Sequence, residues 1–481
     1  MTTVASRSDY SQGLPDELTA QKTTSRRQLV SALVVAACVG LCAFLAPLST
    51  AVAFIALVTL AYLAALVYRL AAFWLSIRNP GLVVVPDEEA RLLPDIYLPI
   101  YTVLVPAYRE PSVIAALIGR LSELEYPPSK LDIRLLLEQD DSETIAAAEA
   151  ARPGPQFTIV RVPPVGPKTK PKACNFGLEG ARGEIVTIYD AEDQPEPLQL
   201  RRVVAAFLRL DPSVACLQAK LSYYNARQNL LTSWFAIEYA MWFSFLLPGL
   251  VAQRGPLPLG GTSNHFRGKV LRSVGGWDPY NVTEDADLGI RLARRGYQTR
   301  VLDSATYEEA NSDVINWVKQ RSRWYKGYLQ TWLVHTRHPL ELRRQLGWRG
   351  FIGFNLFVAG TPLLSLINPV FWALTALWFL VHPPIVLELF PAWLYYLSLG
   401  VMVAGNFSLF YAWLVSARSA GPAKLVFAAL LIPIYWALMS VAAIKAAVQL
   451  ISAPSFWEKT VHGLDTAPAS PRGTSSNHLA Q

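Results

Sequence analysis

Acidic side chains at the end of one apolar segment are suited to binding a metal ion. Asp190 follows the apolar residues 184–189, and Glu192 lies two positions further along. Because alternate residues of a strand share one face, both carboxylates are expected on the same side of a strand end. Two hard oxygen ligands there suit Mg²⁺ or Mn²⁺ bridging a diphosphate, since such ions are bound by few carboxylates together with the phosphates. A solvated acidic loop explains the pattern equally well.

Two further acidic groups occur in the same half of the chain. Asp140 and Asp141 end another apolar segment and could accept hydrogen bonds from a base or a ribose, although a turn opened by aspartate is equally consistent. Thr283, Glu284 and Asp285 precede a predicted helix. Threonine is a good N-cap and acids are favourable in the first turn, so capping alone would explain these three residues.

A basic and aromatic cluster is harder to explain by structure alone. Gln320, Arg323 and Trp324 lie close to Trp317 and Tyr325 in the sequence. Guanidinium groups and aromatic rings at this spacing suit holding phosphates and stacking on sugar rings. The alternative is a basic helix lying at a membrane surface.

The elements that must position these groups alternate between strands and helices. Short apolar strands are predicted at residues 101–105, 131–137, 157–162 and 184–189, with a helix at residues 113–124. This alternation predicts βαβ units and an α/β domain with a mainly parallel, Rossmann-like sheet. Ligands of such sheets bind beyond the carboxyl ends of the strands, where the first two acidic groups lie.

The composition of the whole chain excludes several classes of protein. It has 43 Lys and Arg against 36 Asp and Glu, a net charge of +7, and charged residues make up only 16%. A soluble domain carries about 25% charged residues. With 52% hydrophobic residues, a disordered chain, a nucleic-acid-binding basic domain and a plain cytosolic enzyme are excluded. The four cysteines fit neither a disulfide scaffold nor a zinc site.

The first apolar region predicts a transmembrane hairpin. Residues 29–77 contain one charge, Arg69, and are long enough for two spans with a tight turn near residues 47–50. Basic residues flank the region. The positive-inside rule therefore predicts a cytosolic tail at residues 1–28 and a cytosolic domain at residues 93–350.

Apolar residues return at 351–450, where C-terminal transmembrane helices are predicted. The apolar blocks are residues 351–381, 394–415 and 425–444. If the first block crosses once, the C-terminal tail ends outside the cell, which the charges of Arg418 and Lys424 favour. If the first block forms a hairpin, the tail ends in the cytosol.

The order of these groups resembles that of the processive, membrane-integrated family-2 glycosyltransferases, which include cellulose and hyaluronan synthases. The matching segments are Val105–Glu110, Asp140–Asp141, Lys172–Asn175, Asp190–Asp193, Thr283–Asp285 and Gln320–Trp324. Each segment is a weak signal alone, and six in this order between membrane segments form a strong one. The loop Gly261–Arg267 is similar to the acceptor-site loop of the family.

The resemblance implies a GT-A fold, a UDP-sugar donor, an Mg²⁺ or Mn²⁺ cofactor and inversion of the anomeric configuration. It makes Asp285 the general base, with Glu284 beside it in the catalytic motif. It gives the metal–diphosphate role to Asp190; because the motif is Asp-Ala-Glu-Asp and not Asp-x-Asp, either Glu192 or Asp193 would be the second ligand. Substrate-binding roles fall to Pro106, Tyr108, Glu110, Asp140, Asp141, Lys172, Gln320, Arg323 and Trp324.

The resemblance also bears on topology. Residues 456–460 are similar to the gating loop of cellulose synthases, and a gate must lie on the cytosolic side. We therefore expect a hairpin or re-entrant first C-terminal block, six membrane passes, and a C-terminal segment at residues 451–481 that ends in a disordered tail. No cyclic-dinucleotide regulatory domain is expected after residue 460.

Three functions fit these features. The first is a polysaccharide synthase of the inner (plasma) membrane that extends a β-linked glycan, by default from UDP-glucose, and exports it through its own helices, with or without accessory export proteins. The second is a glycolipid synthase that adds one or a few sugars to a lipid acceptor. The third, a non-catalytic scaffold, is disfavoured by the intact set of acids. The expected partners are the UDP-sugar, a glycan or glycolipid acceptor and membrane lipid, and no nucleic acid.

Overall fold

The computed structural model describes residues 13–78, 81–421, 424–454 and 456–458. The predicted disordered tail and the last two residues of the gating-loop segment lie outside the described residues, as does the beginning of the predicted N-terminal tail.

A mixed sheet of nine strands forms the centre of the α/β domain in the described part of the chain. The strands are β1 (Leu82–Val83), β2 (Tyr101–Ala107), β3 (Leu131–Glu138), β4 (Phe157–Val162), β5 (Ile185–Ile188), β6 (Gln194–Pro195), β7 (Val214–Tyr223), β8 (Asn264–Arg267) and β9 (Gln298–Glu308). Their order is β1-β9-β7-β8-β5-β2-β3-β4, with β6 paired to β9. Strand β2 is parallel to β3 and β5, whereas β8 is antiparallel to both of its neighbours. The prediction of an α/β domain with a mainly parallel sheet is confirmed.

Helices surround this sheet and continue beyond it. They are α1 (Arg26–Leu45), α2 (Pro47–Arg78), α3 (Asp87–Leu92), α4 (Pro111–Ser122), α5 (Ser142–Ala150), α6 (Lys170–Glu179), α7 (Gln199–Arg209), α8 (Leu230–Ala240), α9 (Leu247–Ala252), α10 (Gly268–Ser273), α11 (Glu284–Arg294), α12 (Val314–His335), α13 (Pro339–Phe354), α14 (Gly360–Val381), α15 (Pro384–Leu389), α16 (Ala392–Ala420), α17 (Lys424–Leu430) and α18 (Ile432–Ser452). Short π-helical segments join α8 to α9 and α13 to α14.

The central strands are apolar on both faces because helices cover both faces. Val103 and Val105 of β2 pack with α4, α5 and α7, whereas Leu104, between them, packs with α6, α10 and α11. All three side chains are fully buried. A nearly continuous apolar run of this kind is typical of a parallel strand buried on both sides.

The segment before α1 docks on the α/β domain. The Thr19 hydroxyl and the Ala20 amide donate hydrogen bonds to the Asp278 carboxylate at 2.8 and 2.6 Å. Arg337, at the end of α12, donates to four backbone carbonyls of the same segment. The start of the chain is thereby connected to the loop that precedes α11 and to the end of α12.

Helices α11 and α12 carry two of the sequence motifs and are in close contact. Glu284 begins α11, and α12 contains residues 320–324. A Cβ atom on Gly327 of α12 would lie 2.3 Å from the Thr283 hydroxyl oxygen. Only a glycine at this position allows α12 to approach the start of α11 so closely.

Six helices are long and apolar enough to cross a membrane in the described part of the chain. They are Arg26–Leu45, Pro47–Arg78, Leu230–Ala252, Pro339–Val381, Ala392–Ala420 and Ile432–Ser452. Helices α1 and α2 meet at Ala46, within the region predicted as a hairpin.

The first C-terminal block contains no hairpin, contrary to expectation. Helix α13 has one break, at Gly347 (φ 67°), and the chain then continues as helix to Val381. Asn368 and Pro369 lie inside α14. The Tyr62 hydroxyl donates to the Leu364 carbonyl at 2.9 Å and also contacts the Asn368 side chain, so polar groups near the proline have a partner.

Helix α18 packs along α12. Near its start, the Tyr435 hydroxyl accepts a hydrogen bond from Arg321 of α12 at 3.2 Å. Just after its end, the carbonyl of Pro454 accepts from Gln330 of α12 at 2.8 Å. Both ends of α18 therefore contact one helix of the α/β domain.

The close approach at Gly327 is testable with a matched pair of glycines. Gly327→Ala should lower the free energy of unfolding by about 1–3 kcal/mol and reduce turnover, because the added methyl group pushes α12 away from Thr283. Gly119→Ala is the control, since Gly119 is also inside a helix but has open space around it. The control should be neutral or stabilising by up to about 1 kcal/mol. Thermal unfolding and activity are measured on both, and equal behaviour of the two variants would contradict the packing argument.

Candidate active site

One cavity of ≈ 1580 Å³ extends from the ends of the parallel strands to a region between the long apolar helices. Ten of the residues proposed from the sequence line it: Pro106, Tyr108, Glu110, Asp190, Glu192, Glu284, Asp285, Gln320, Arg323 and Trp324. Four do not: Asp140, Asp141, Lys172 and Asp193. The structure therefore brings four of the six motifs to the wall of one cavity.

Lys170 is a cation in direct contact with one of the acidic side chains of the cavity. Its ammonium lies 2.5 Å from Asp190 Oδ1 and donates to the Gly261 carbonyl at 2.8 Å. Burial lowers the pKa of Lys170, but the charges of Asp190 and Glu284 outweigh this and raise it. Lys170 thus stays a cation among the carboxylates. Sequence reasoning missed it, although it belongs to a run of alternating lysines at 168, 170 and 172.

Lys172, to which substrate binding was assigned, has a different position. Its side chain is fully buried, with the ammonium 2.9 Å from Glu138 Oε1 and donating to the Pro163 carbonyl at 2.9 Å. Helix α6 begins at Lys170, so two residues later the side chain points about 200° away around the helix. Lys172 supports the cavity wall through Glu138, and Lys170 takes the place expected for it.

The Asp140–Asp141 pair also departs from its expected role. Asp141 is the N-cap of α5: its carboxylate accepts from Thr144 N at 3.3 Å and from Arg109 N at 2.5 Å. Asp140 forms an ion pair with Lys168, a lysine that does line the cavity. The turn opened by aspartate, the alternative left open by the sequence, describes Asp141.

Asp193 holds the acidic loop in place. It is fully buried, and its Oδ2 accepts from the Asp190 amide at 2.8 Å and from the Thr262 hydroxyl. Burial, together with the charges of Asp190 and Glu192, raises the pKa of Asp193 well above its usual range. Of the two candidates for the second metal ligand, only Glu192 lines the cavity.

The donor set fits a divalent cation that is completed by phosphate oxygens. In the described residues no three Asp, Glu, His or Cys side chains are grouped closely enough to hold a metal ion alone. Asp190 and Glu192 supply two hard oxygen ligands on the cavity wall. Two carboxylates plus a diphosphate are a usual coordination for Mg²⁺. Glu308, at the end of β9, lies near them: burial and the charges of Asp193, Glu192 and Asp190 raise its pKa.

Asp285 and Glu284 lie opposite the loop that was predicted to contact the acceptor. A Cβ atom on Gly261 would lie 3.5 Å from Asp285 Oδ2. Burial raises the pKa of Asp285, while Lys170 and Arg323 lower it. Burial, followed by the charge of Asp285, raises the pKa of Glu284 to about 8. The Thr283 side chain makes no capping hydrogen bond to α11, so capping does not explain this motif.

The two arginines of the α12 motif have separate tasks. Arg321 forms a two-pronged ion pair with Glu238 and lies 4.7 Å from the Trp324 ring, so it fixes the position of that ring. Arg323 lines the cavity and lies 4.8 Å from the Trp457 ring, and its Nε is buried without a hydrogen-bond partner in the described structure. Burial lowers the pKa of Arg323, against the charges of Glu284, Asp285 and Asp190.

Part of the chain is similar to known proteins. Residues 99–327 match the model described as "Glycosyltransferase like family 2". Beta-monoglucosyldiacylglycerol synthase of Trichormus variabilis is 30% identical over 256 residues, which are 52% of this chain and 53% of that protein. Glucomannan 4-beta-mannosyltransferase 2 of Arabidopsis thaliana is 29% identical over 253 residues, which are 50% of this chain and 46% of that protein. The chain thus spans about half the length of these curated relatives.

Among solved structures, mannosyltransferase PcManGT from Pyrobaculum calidifontis, in complex with GDP-Man and Mn²⁺, has a TM-score of 0.54 and 19% sequence identity. The match covers 82% of this chain and 99% of that chain. At this identity the likeness shows the fold alone.

The acidic loop predicts three different metal responses. Asp190→Asn should abolish Mg²⁺- or Mn²⁺-stimulated turnover, and Glu192→Gln should raise the metal concentration for half-maximal activity. Asp193→Asn should leave that concentration unchanged and lower the melting temperature, because Asp193 is buried away from the cavity. Metal titrations and thermal unfolding on the three variants check this. Wild-type activity that is insensitive to EDTA would contradict the metal assignment.

The charge of Lys170 predicts a change in the pH profile. A general base must be deprotonated, so turnover falls as the pH drops through the pKa of Asp285. Because Lys170 lowers that pKa, Lys170→Met should move the acidic limb of the rate profile to higher pH. Lys170→Arg, which keeps the charge, is the control. The profile is measured at saturating donor, and an unmoved limb in Lys170→Met would refute the electrostatic role.

Proposed function

We propose that this chain, whose residues 99–327 form a family-2 glycosyltransferase domain of GT-A type, transfers a sugar from a nucleotide-sugar to a membrane lipid. The observation that carries this proposal is the single cavity that holds Asp190 and Asp285 at one end and runs between membrane helices at the other. A lipid can lie in the apolar part while its polar end reaches the carboxylates.

The membrane part of the cavity supports a lipid better than a polymer. Its walls come from α2, α14, α15, α16 and α18, with apolar side chains such as Leu364, Phe371 and Met402. Helix α1 has no buried residue and packs on the outside of α2. The hydroxyl groups of a glycan need water or polar partners throughout the hydrocarbon layer, whereas the apolar side chains of these walls favour the tail of a lipid.

The same arrangement supports four crossings, by α1, α2, α14 and α16, of the inner membrane. Because α18 packs along α12, the last crossing is α16, and Pro454 and Phe456 lie on the side of the α/β domain. The domain, the N-terminal segment and the C-terminal segment then share the cytosolic side. In this arrangement Arg418, Lys424 and residues 456–458 all lie on the cytosolic side, although the first block contains no hairpin.

Polysaccharide synthesis remains the second candidate. Gln320, Arg323 and Trp324 lie together on the cavity wall, and the chain is similar to a glucomannan mannosyltransferase.

The chemistry we propose is a single displacement. The acceptor hydroxyl oxygen attacks the anomeric carbon, Asp285 takes the hydroxyl proton, and the bond from that carbon to the diphosphate oxygen breaks. The nucleoside diphosphate leaves and the configuration inverts, so an α-linked UDP-sugar gives a β-linked product. Lys170 and Arg323 face the negative charge that develops on the diphosphate. A Mg²⁺ or Mn²⁺ ion held by Asp190 and Glu192 would neutralise part of that charge.

Product analysis tests this proposal. Wild-type protein in nanodiscs, given labelled UDP-sugars, should place label in a chloroform-soluble lipid and not in a high-mass polymer. Asp285→Asn is the control: it should keep nucleotide affinity, measured by calorimetry, and lose about 10²–10⁴-fold in turnover, since only proton transfer is removed. Label in a long polymer, or turnover retained in Asp285→Asn, would contradict the lipid acceptor or the base assignment respectively.

A further inference from the structure

Arg69 is the single charged residue of the predicted N-terminal hairpin, and it faces the cavity. It lies nine residues before Arg78 on α2, or about 14 Å along the helix axis from that basic end. A charged side chain at such a depth is costly and is a candidate functional group by default.

The guanidinium of Arg69 lacks a counter-ion. Its Nη2 donates to the Thr361 hydroxyl at 2.6 Å, and the group lies 5.6 Å from the Phe357 ring. Its Nε is buried and has no hydrogen-bond partner among the described residues, and none of their ion pairs includes Arg69. Glu238, which lines the same cavity, is already bound by Arg321 through both carboxylate oxygens. A cation in this setting calls for an anion that the described structure does not supply.

The surroundings of Arg69 divide the cavity into two parts. Arg69, Tyr325, Tyr328, Thr361 and Ser365 line it at one level, which we name the polar collar. Ser365 donates to the Thr361 carbonyl at 2.9 Å and lies 3.4 Å from the Tyr325 hydroxyl. Tyr328 of the collar lines the same cavity as Glu284 and Asp285.

Beyond the collar the cavity becomes apolar. Further along α14 come Phe371 and Leu374, and α16 contributes Leu399 and Met402. A ligand that spans both parts has an anionic group at Arg69, a hydrocarbon tail beyond it and a reactive group on the side of Asp285.

We propose that the acceptor is a hydroxyl-bearing phospholipid, whose phosphate is bound by Arg69 and whose headgroup hydroxyl reaches Asp285. This inference rests on the proposed function and adds the chemical class of the acceptor. Guanidinium binds phosphate oxygens in a two-pronged manner, and the partnerless Nε of Arg69 leaves one edge of the group for this. The hydroxyl is needed because Asp285 acts by removing its proton.

The test compares three lipids in phosphatidylcholine nanodiscs. Dioleoylglycerol has a hydroxyl and no phosphate, phosphatidylglycerol has both, and undecaprenyl phosphate has a phosphate and no hydroxyl. The variants are Arg69→Gln, Arg69→Lys and, as control, Arg78→Gln, which removes an exposed cation from the end of the same helix. Labelled sugar in extracted lipid is measured over a range of acceptor concentrations.

Wild type should label phosphatidylglycerol best. In Arg69→Gln the KM for phosphatidylglycerol should rise roughly 10–100-fold, as expected for a lost charge-assisted hydrogen bond, with kcat little changed. Arg69→Lys should lie between Arg69→Gln and wild type, and Arg78→Gln should match wild type. If Arg69 had only a structural role, Arg69→Gln would instead lower the melting temperature and affect turnover with all acceptors alike.

Other outcomes overturn the inference in distinguishable ways. Preference for dioleoylglycerol, or an unchanged KM in Arg69→Gln, removes the phosphate contact and leaves lipid glycosylation standing. Preference for undecaprenyl phosphate overturns the hydroxyl-bearing acceptor. Label in a water-soluble polymer overturns the proposed function together with this inference. If Arg69→Gln does not fold, the wild-type preference and native mass spectrometry of retained phosphatidylglycerol against dioleoylglycerol decide the matter.

Discussion

The arrangement of the site depends on holding buried carboxylates beside cations in a place with little water. Glu284 and Asp285 line one cavity, and burial raises the pKa of both. The charges of Lys170 and Arg323 oppose this rise. Lys170 is positioned by the start of α6, and Arg323 belongs to the motif on α12. The close packing of α12 against Thr283 and the anchoring of the acidic loop by Asp193 serve the same balance, since the interaction between two charges weakens as the distance between them grows.

Four strands of the domain were predictable from the sequence because their central residues are largely apolar. Residues such as Val103 to Val105 are buried on both faces, and acids directly after strands had to gather at one edge of the sheet. The sequence could not show that Lys170, and not Lys172, lines the cavity. Lysines at 168, 170 and 172 are equivalent in an extended chain, and their side chains point in different directions only because α6 begins at Lys170. Asp141 illustrates the same limit, because its role depends on α5 beginning at Ser142.

Hydrophobicity alone also could not separate a span from a helix packed on protein. Helix α18 is apolar enough to cross a bilayer, yet both of its ends contact α12. Its Lys445 and Gln449 bind Glu458, which follows the helix. The pairing partners of these groups are distant in sequence or on other helices, so no local pattern encodes them. Arg69 was visible in the sequence as the single charge of residues 29–77, but only the positions of the neighbouring carboxylates show that none of those in the described residues pairs with it.

The docking of the first residues constrains how the protein is made. A ribosome produces Thr19 and Ala20 more than two hundred residues before their partner Asp278, and Arg337 follows later still. Helices α1 and α2 are therefore synthesised while the segment ahead of them has no binding site. That segment reaches its place only after Asp278 and Arg337 have been made. Such long sequence separation makes this contact a late event in folding.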